Sequence, residues 1–257
     1  MARETIYETF MLPSGGNIYE VKKGTKTVKG INPVVDLTCI KVWQEMKRTS
    51  PSELPYRQMS EAIEDCMKDK LEIPVYDLCL GDYQYLLYKL RVVTYGSIYK
   101  MPILCPTCGK YSEVEVNLDD LDVIEFNKDF YNYTQLKLPN GDDIEIRYQT
   151  PRILDSIGVK ARLMAKNLNT SVDYSLLFTL VTAIVSVNGV KKNEVQLEEY
   201  CKNLSMQDCN YIIAGIDRLN SQIGMGKFIS AYCSVCKNDV VVPFRTTSEF
   251  LEPITRL

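Results

Sequence analysis

Two short cysteine knuckles constrain this chain more than any other feature. Cys105-Pro106-Thr107-Cys108 and Cys233-Ser234-Val235-Cys236 are separated by 124 residues. Two cysteines three positions apart can hold one tetrahedral metal while the backbone turns tightly between them. Pro106 stiffens the first turn, and Gly109 supplies a position free to take positive φ. Residues 98–104 and 111–118 read as strands around the first knuckle, and 228–232 and 239–244 as strands around the second. Two hairpins with Cys-x-x-Cys at their tips are the anatomy of a zinc ribbon, here split by a long insertion.

The 257 residues include no histidine. That excludes any triad or general base built on imidazole and any metal site with a histidine ligand. Neither knuckle can be completed locally by histidine, so pairing the two is the economical solution: one Zn2+ on Cys105, Cys108, Cys233 and Cys236. Two local disulfides, or a thioredoxin-like redox motif, are the alternatives. The first suits an oxidising compartment, and the second needs Cys-x-x-Cys to open a helix in a βαβ setting. A fully ligated four-thiolate site has no open position for water or substrate, so its role would be structural.

The remaining five cysteines, Cys39, Cys66, Cys79, Cys201 and Cys209, follow no pairing rule and read as small buried hydrophobes in a reducing cytoplasm. Residues 1–7 carry Glu4 and no apolar core, unlike a signal peptide, and the longest apolar stretch, 175–187, is too short to cross a bilayer. It reads as a buried helix. Thirty Lys and Arg against 33 Asp and Glu leave a formal charge of −3, without the broad positive field of a non-specific nucleic-acid binder.

Along the chain, residues 1–50 form a strand-rich segment of short pieces punctuated by glycines. Lys22, Lys23, Lys26 and Lys29 mark an exposed hairpin kept from pairing by charge, or else a phosphate-contacting patch. Pro13-Ser14-Gly15-Gly16 reads as a tight turn. Residues 51–118 hold a helix from near Leu54, with Tyr56, Met59, Ile63, Cys66 and Met67 on one stripe, and a second helix after Gly81. That second helix has Asp82 as N-cap, Leu86, Leu87, Leu90 and Val93 inward, and Gly96 at its end. Residues 119–227 form an inserted α+β region. It contains a hairpin turning at Asn140-Gly141, a helix started by Thr150-Pro151, a turn at Asn188-Gly189, and a long helix capped by Ser205 with Cys209, Ile212, Ile213, Ile216, Leu219 and Ile223 on one face. Residues 228–257 carry the second knuckle. The predicted fold is α+β: mixed helices and short antiparallel hairpins around a discontinuous four-cysteine zinc ribbon. Acid pairs such as Asp119-Asp120 and Asp142-Asp143 read as caps and solvated charges. The tyrosines crowding 83–99 suit core packing and, for some, a partner surface.

Several segments together resemble the baseplate hub proteins of T-even-type contractile-tailed bacteriophages. They are Phe10-Met11-Leu12-Pro13-Ser14-Gly15, the run from Leu80-Gly81-Asp82 through Leu90-Arg91 and Tyr95-Gly96 to Cys105-Pro106-Thr107-Cys108-Gly109, and the terminal hairpin that ends at Phe250-Leu251-Glu252-Pro253. Residues 30–60 depart from the family's pattern, with Asn32-Pro33 and Ser50-Pro51 breaks in place of an acidic helix opening. The resemblance implies a non-enzymatic assembly protein that contacts other hub or tail proteins, in the virion or in the host cytoplasm during assembly, with no membrane and no small-molecule substrate. The alternative is a zinc-ribbon nucleic-acid-binding accessory factor. Lys110 and Lys237 standing beside Glu113, Glu115 and Asp239 argue against it. A cell-wall hydrolase has only scattered acids in its favour.

Overall fold

The computed structural model describes residues 5–243 and 248–251; Glu4, Phe244 and the closing Glu252-Pro253 lie outside the described residues. In chain order the strands and α-helices are β1 (Glu8–Met11), β2 (Glu20–Lys23), β3 (Lys26–Lys29), β4 (Val34–Leu37), α1 (Val42–Thr49), α2 (Pro55–Glu64), α3 (Leu80–Tyr95), β5 (Ile98–Leu104) and β6 (Tyr111–Asn117). There follow β7 (Val123–Ile124), β8 (Gln135–Lys137), β9 (Asp143–Ile146), α4 (Pro151–Asn167), α5 (Ser175–Ala183), β10 (Ile184–Val187), β11 (Val190–Lys191), α6 (Glu194–Lys202), α7 (Met206–Asn220), β12 (Gly224–Met225), β13 (Phe228–Tyr232) and β14 (Asp239–Pro243). All the described strand pairs are antiparallel, five as separate two-stranded ribbons and one as a four-stranded sheet in the order β11-β10-β9-β8. The chain is therefore α+β, built from helices and short hairpins.

Helix α3 is the spine. It is apolar on nearly every side, as a helix enclosed by two cores must be. Tyr83, Leu86 and Leu90 enter the larger core, shared with Leu12, Leu37, Ile63, Ile144, Ile184, Ile212 and Leu219. Leu87 and Tyr88 enter a smaller one made with the inner faces of β5, β6, β13 and β14 and with Phe250. Val35 and Leu37 of β4 are thus buried in one core with residues of 119–227.

Most predicted elements are present with their signals. Thr150 caps α4 and Ser205 caps α7 through their hydroxyls, and Gly96 ends α3 at φ +85°. Gly16 lies in the tight turn expected, where a Cβ would stand 2.2 Å from the Ile31 carbonyl oxygen. Tyr83, Tyr85 and Tyr88 are buried.

Five expectations need correction. Asp82 does not cap α3: the helix begins at Leu80 with Cys79 as N-cap, and the Asp82 carboxylate turns into the core to accept from Ser14 and Tyr19. Residues 175–187 are not one helix, because the β-branched run from Ile184 pairs with β9 and stops α5 at Ala183. Helix α2 ends at Glu64, leaving Cys66 and Met67 buried beyond it. Residues 1–50 also contain α1, whose Val42, Trp43 and Met46 face outward at 79%, 71% and 61% exposure while Gln44 is buried, so no inward apolar stripe marks it. Cys39 is exposed, unlike the buried Cys66, Cys79, Cys201 and Cys209.

Candidate metal centre

Each knuckle is the tip of a hairpin, and β6, β13 and β14 alternate inward and outward along their length. In β5–β6 the pairs run from Ile98 opposite Asn117 to Leu104 opposite Tyr111, with Ile103, Val114 and Val116 turned inward. In β13–β14 they run from Phe228 opposite Pro243 to Tyr232 opposite Asp239, with Ile229, Ala231, Val240 and Val242 inward. The period of two puts Cys105 and Cys233 on the same buried faces, both at 0% exposure.

Within each knuckle the backbone repeats the same turn. The Gly109 N–H donates to the Cys105 carbonyl at 2.9 Å, and the Lys237 N–H to the Cys233 carbonyl at 3.0 Å. Gly109 takes φ +66°, the freedom expected of it, and Lys237 holds the equivalent place at φ +63°. A contact not anticipated from sequence joins the tips: Ser112 Oγ lies 2.7 Å from Ser234 Oγ and accepts from the Ser234 N–H at 3.2 Å.

The hairpins bring all four sequence-predicted cysteines together, with their Sγ atoms within 4.8 Å of one another. Cys105 Sγ and Cys236 Sγ, from different knuckles, are 3.7 Å apart. A disulfide needs about 2.05 Å. Four sulfurs about 2.3 Å from one tetrahedral ion sit about 3.8 Å apart, and the Cys105–Cys236 distance matches that edge. All four cysteines are free thiols.

The electrostatics point the same way. The Cys108 backbone N–H lowers the Cys105 thiol, and the Cys236 backbone N–H brings Cys233 down to about 6. Cys236 is lowered by the Asn238 amide, but burial and the sulfurs of Cys233, Cys105 and Cys108 outweigh it and raise the group to about 11. Thiolate charge cannot accumulate here without a cation to offset it. The donor set and spacing fit a soft, tetrahedral divalent ion, which these residues can hold with no coordination position left for substrate. By contrast, burial pushes Cys66 and Cys201 up to about 12 and Cys79 higher still, which marks them as inert packing residues.

The acid pairs are absorbed structurally. Asp142 accepts from Asn188 and Tyr200, which hold its carboxyl below the usual range, and Asp119 pairs with Lys89 at 3.5 Å. No described helix is long and apolar enough to cross a membrane.

Among known proteins, a family model described as T4 bacteriophage base plate protein matches residues 7–252. No curated protein and no solved structure gives a significant match.

Proposed function

From the premise that this chain belongs to the T4 bacteriophage base plate protein family, we propose that it is a non-catalytic assembly component of the baseplate hub, stabilised by one structural zinc on Cys105, Cys108, Cys233 and Cys236. Membership makes it a phage baseplate structural protein associated with the virion tail. The finer reading adds the hub position, assembly beginning in the host cytoplasm, and action through contacts with other hub or tail proteins.

One observation carries the metal assignment: four thiols from two distant knuckles converge within 4.8 Å, with Cys105 Sγ and Cys236 Sγ, 131 positions apart in the chain, at 3.7 Å. When bound, the ion would supply charge neutralisation and a cross-link, nothing more. The chain's own residues do the positioning: the turn amides orient the sulfurs, Ser112 and Ser234 join the tips, and the inner valines exclude water. Clipping β5–β6 to β13–β14 would close more than a hundred residues into a loop anchored on α3, and so present the chain to its partners as a rigid body.

Elemental analysis of the purified chain tests the zinc, with one ion per chain expected. Loss of that ion from Cys105→Ser, together with accumulation of hub-deficient baseplate intermediates in phage carrying the change, would support the reading. Cys105→Ser that keeps one metal per chain would overturn the shared site.

A further inference from the structure

The β2–β3 hairpin pairs with no other strand among the described residues, and all of β3 is exposed. Its register sets Glu20 opposite Lys29, Val21 opposite Val28, Lys22 opposite Thr27 and Lys23 opposite Lys26. Four lysines in eight residues stand on a chain of net charge −3. Lys22, Lys26 and Lys29 make no ion pair among the described residues. A two-stranded ribbon is already marginal alone. An added strand would extend the ribbon, and carboxylates on it would offset lysines that have no counter-charge among the described residues.

The backbone says what kind. The Gly30 N–H donates to the Tyr19 carbonyl at 2.8 Å. Antiparallel ladders alternate bonded and non-bonded pairs, so 19/30, 21/28 and 23/26 are the bonded ones. The main-chain N–H and C=O groups of Thr27 and Lys29 therefore point off the open edge of β3, at the register positions opposite Lys22 and Glu20.

We infer that the open edge of β3 receives an extended, acidic segment of a partner protein as an added strand, with carboxylates set against Lys22 and Lys29. This rests on the assembly role proposed above. Peptide backbone offers donors and acceptors in alternation, matching a free strand edge. A phosphate backbone offers acceptors only, and residues 20–29 contain neither arginine for bidentate phosphate contacts nor an aromatic ring for base stacking.

The test compares the free chain with baseplates purified from the phage that encodes it, by lysine acetylation footprinting and carbodiimide cross-linking. Lys22 and Lys29 should acetylate about tenfold more slowly in the baseplate, the change expected from losing roughly 1.4 kcal/mol worth of open population. Cross-links should join them to Asp or Glu of another protein. Thr27→Pro removes an outward N–H while leaving the hairpin's own ladder intact, and Lys22→Gln, read at Lys29, and Lys29→Gln, read at Lys22, each remove one charge. Each should abolish the protection while the free variant keeps the wild-type melting temperature; Val28→Pro, which breaks the ladder itself, is the unfolding control. Equal acetylation in the two states, or protection that survives Thr27→Pro, would overturn the inference. So would protection lost on nuclease treatment, which assigns the site to nucleic acid, or cross-links only between copies of this chain. Unprotected lysines in a chain that is present in the baseplate leave the assembly role standing. Absence of the chain from baseplates and every intermediate overturns both.

Discussion

Gly81 and Gly224 cross in direct backbone contact. A Cβ on Gly81 would lie 2.1 Å from the Ile223 carbonyl oxygen, and one on Gly224 would lie 2.6 Å from the Gly81 Cα, at φ +116°. This crossing presses the first turn of α3 against β12, three residues before β13 begins, and so fixes where the second knuckle's hairpin leaves the body.

Gly81→Ala should cost about 3 kcal/mol or more, because the methyl meets backbone that cannot rotate away. Gly96→Ala offers a contrast: a Cβ there meets nothing within 4 Å, so only the backbone strain of φ +85° opposes it. Its cost should be smaller, about 1–2 kcal/mol. Urea midpoints of the two variants check the order, and an equal loss would mean that the crossing is loose.

Asp82 ties the Pro13–Gly16 turn to α3. Its carboxylate accepts from the Ser14 N–H at 2.9 Å, the Ser14 hydroxyl and the Tyr19 hydroxyl at 2.6 Å. Asp82→Ala leaves these donors buried without acceptors and should cost about 2–4 kcal/mol. Burial raises the Asp82 carboxyl above its ordinary 3.8, with the Ser14 and Tyr19 hydroxyls pulling the other way. A raised carboxyl favours the folded state most when protonated. Its contribution is therefore full below pH 3.8 and falls as pH rises through the folded-state value. Asp82→Asn, which cannot titrate, should flatten stability against pH in that window. An unchanged slope would remove Asp82 from the pH response.

The sequence discloses what is written locally. The knuckles were legible because ligand spacing and turn residues sit within six positions, and alternation on either side named the strands. Thr150, Ser205 and Gly96 marked helix ends because caps are set by the neighbouring backbone. Helix α1 escaped because Val42, Trp43 and Met46 face solvent, reversing the stripe by which helices are recognised. Asp82 looked like an N-cap because its partners, Ser14 and Tyr19, lie more than sixty residues away. The Ser112–Ser234 contact and the Gly81–Gly224 crossing depend likewise on tertiary proximity, which no local periodicity encodes.

Arg91 is almost wholly buried, with its guanidinium 4.6 Å from the Tyr95 ring and 5.6 Å from the Tyr99 ring, and its Nε and Nη1 have no acceptor among the described residues. Burial lowers its pKa accordingly. Ring faces repay part of the desolvation of a cation but not all of it. Arg91→Met should thus leave stability within about 1 kcal/mol of wild type, or raise it. A loss near 3 kcal/mol in thermal or denaturant unfolding would mean that the guanidinium has an acceptor and that the π faces are not its main support.

With the proposed ion on the four thiols, the two cores would make its removal a local event. The ribbon core of Ile103, Val114, Ile229 and Val242 meets the larger core through α3 and through Ile40, Met59 and Met225, which touch both. Stripping the ion from the four thiols should release the knuckle tips first, because only Ser112–Ser234 and side-chain packing then hold them together. Amide exchange in β5, β6, β13 and β14 should accelerate on the order of 100-fold, while α7 and the β9–β10 pair keep their protection. Cys105→Ser should reproduce this pattern without chelator, and Cys66→Ala, in the other core, should not. Uniform loss of protection across both cores would show that the metal supports the whole fold; no change in the ribbon strands would show that packing suffices and that the thiol cluster is not a clip.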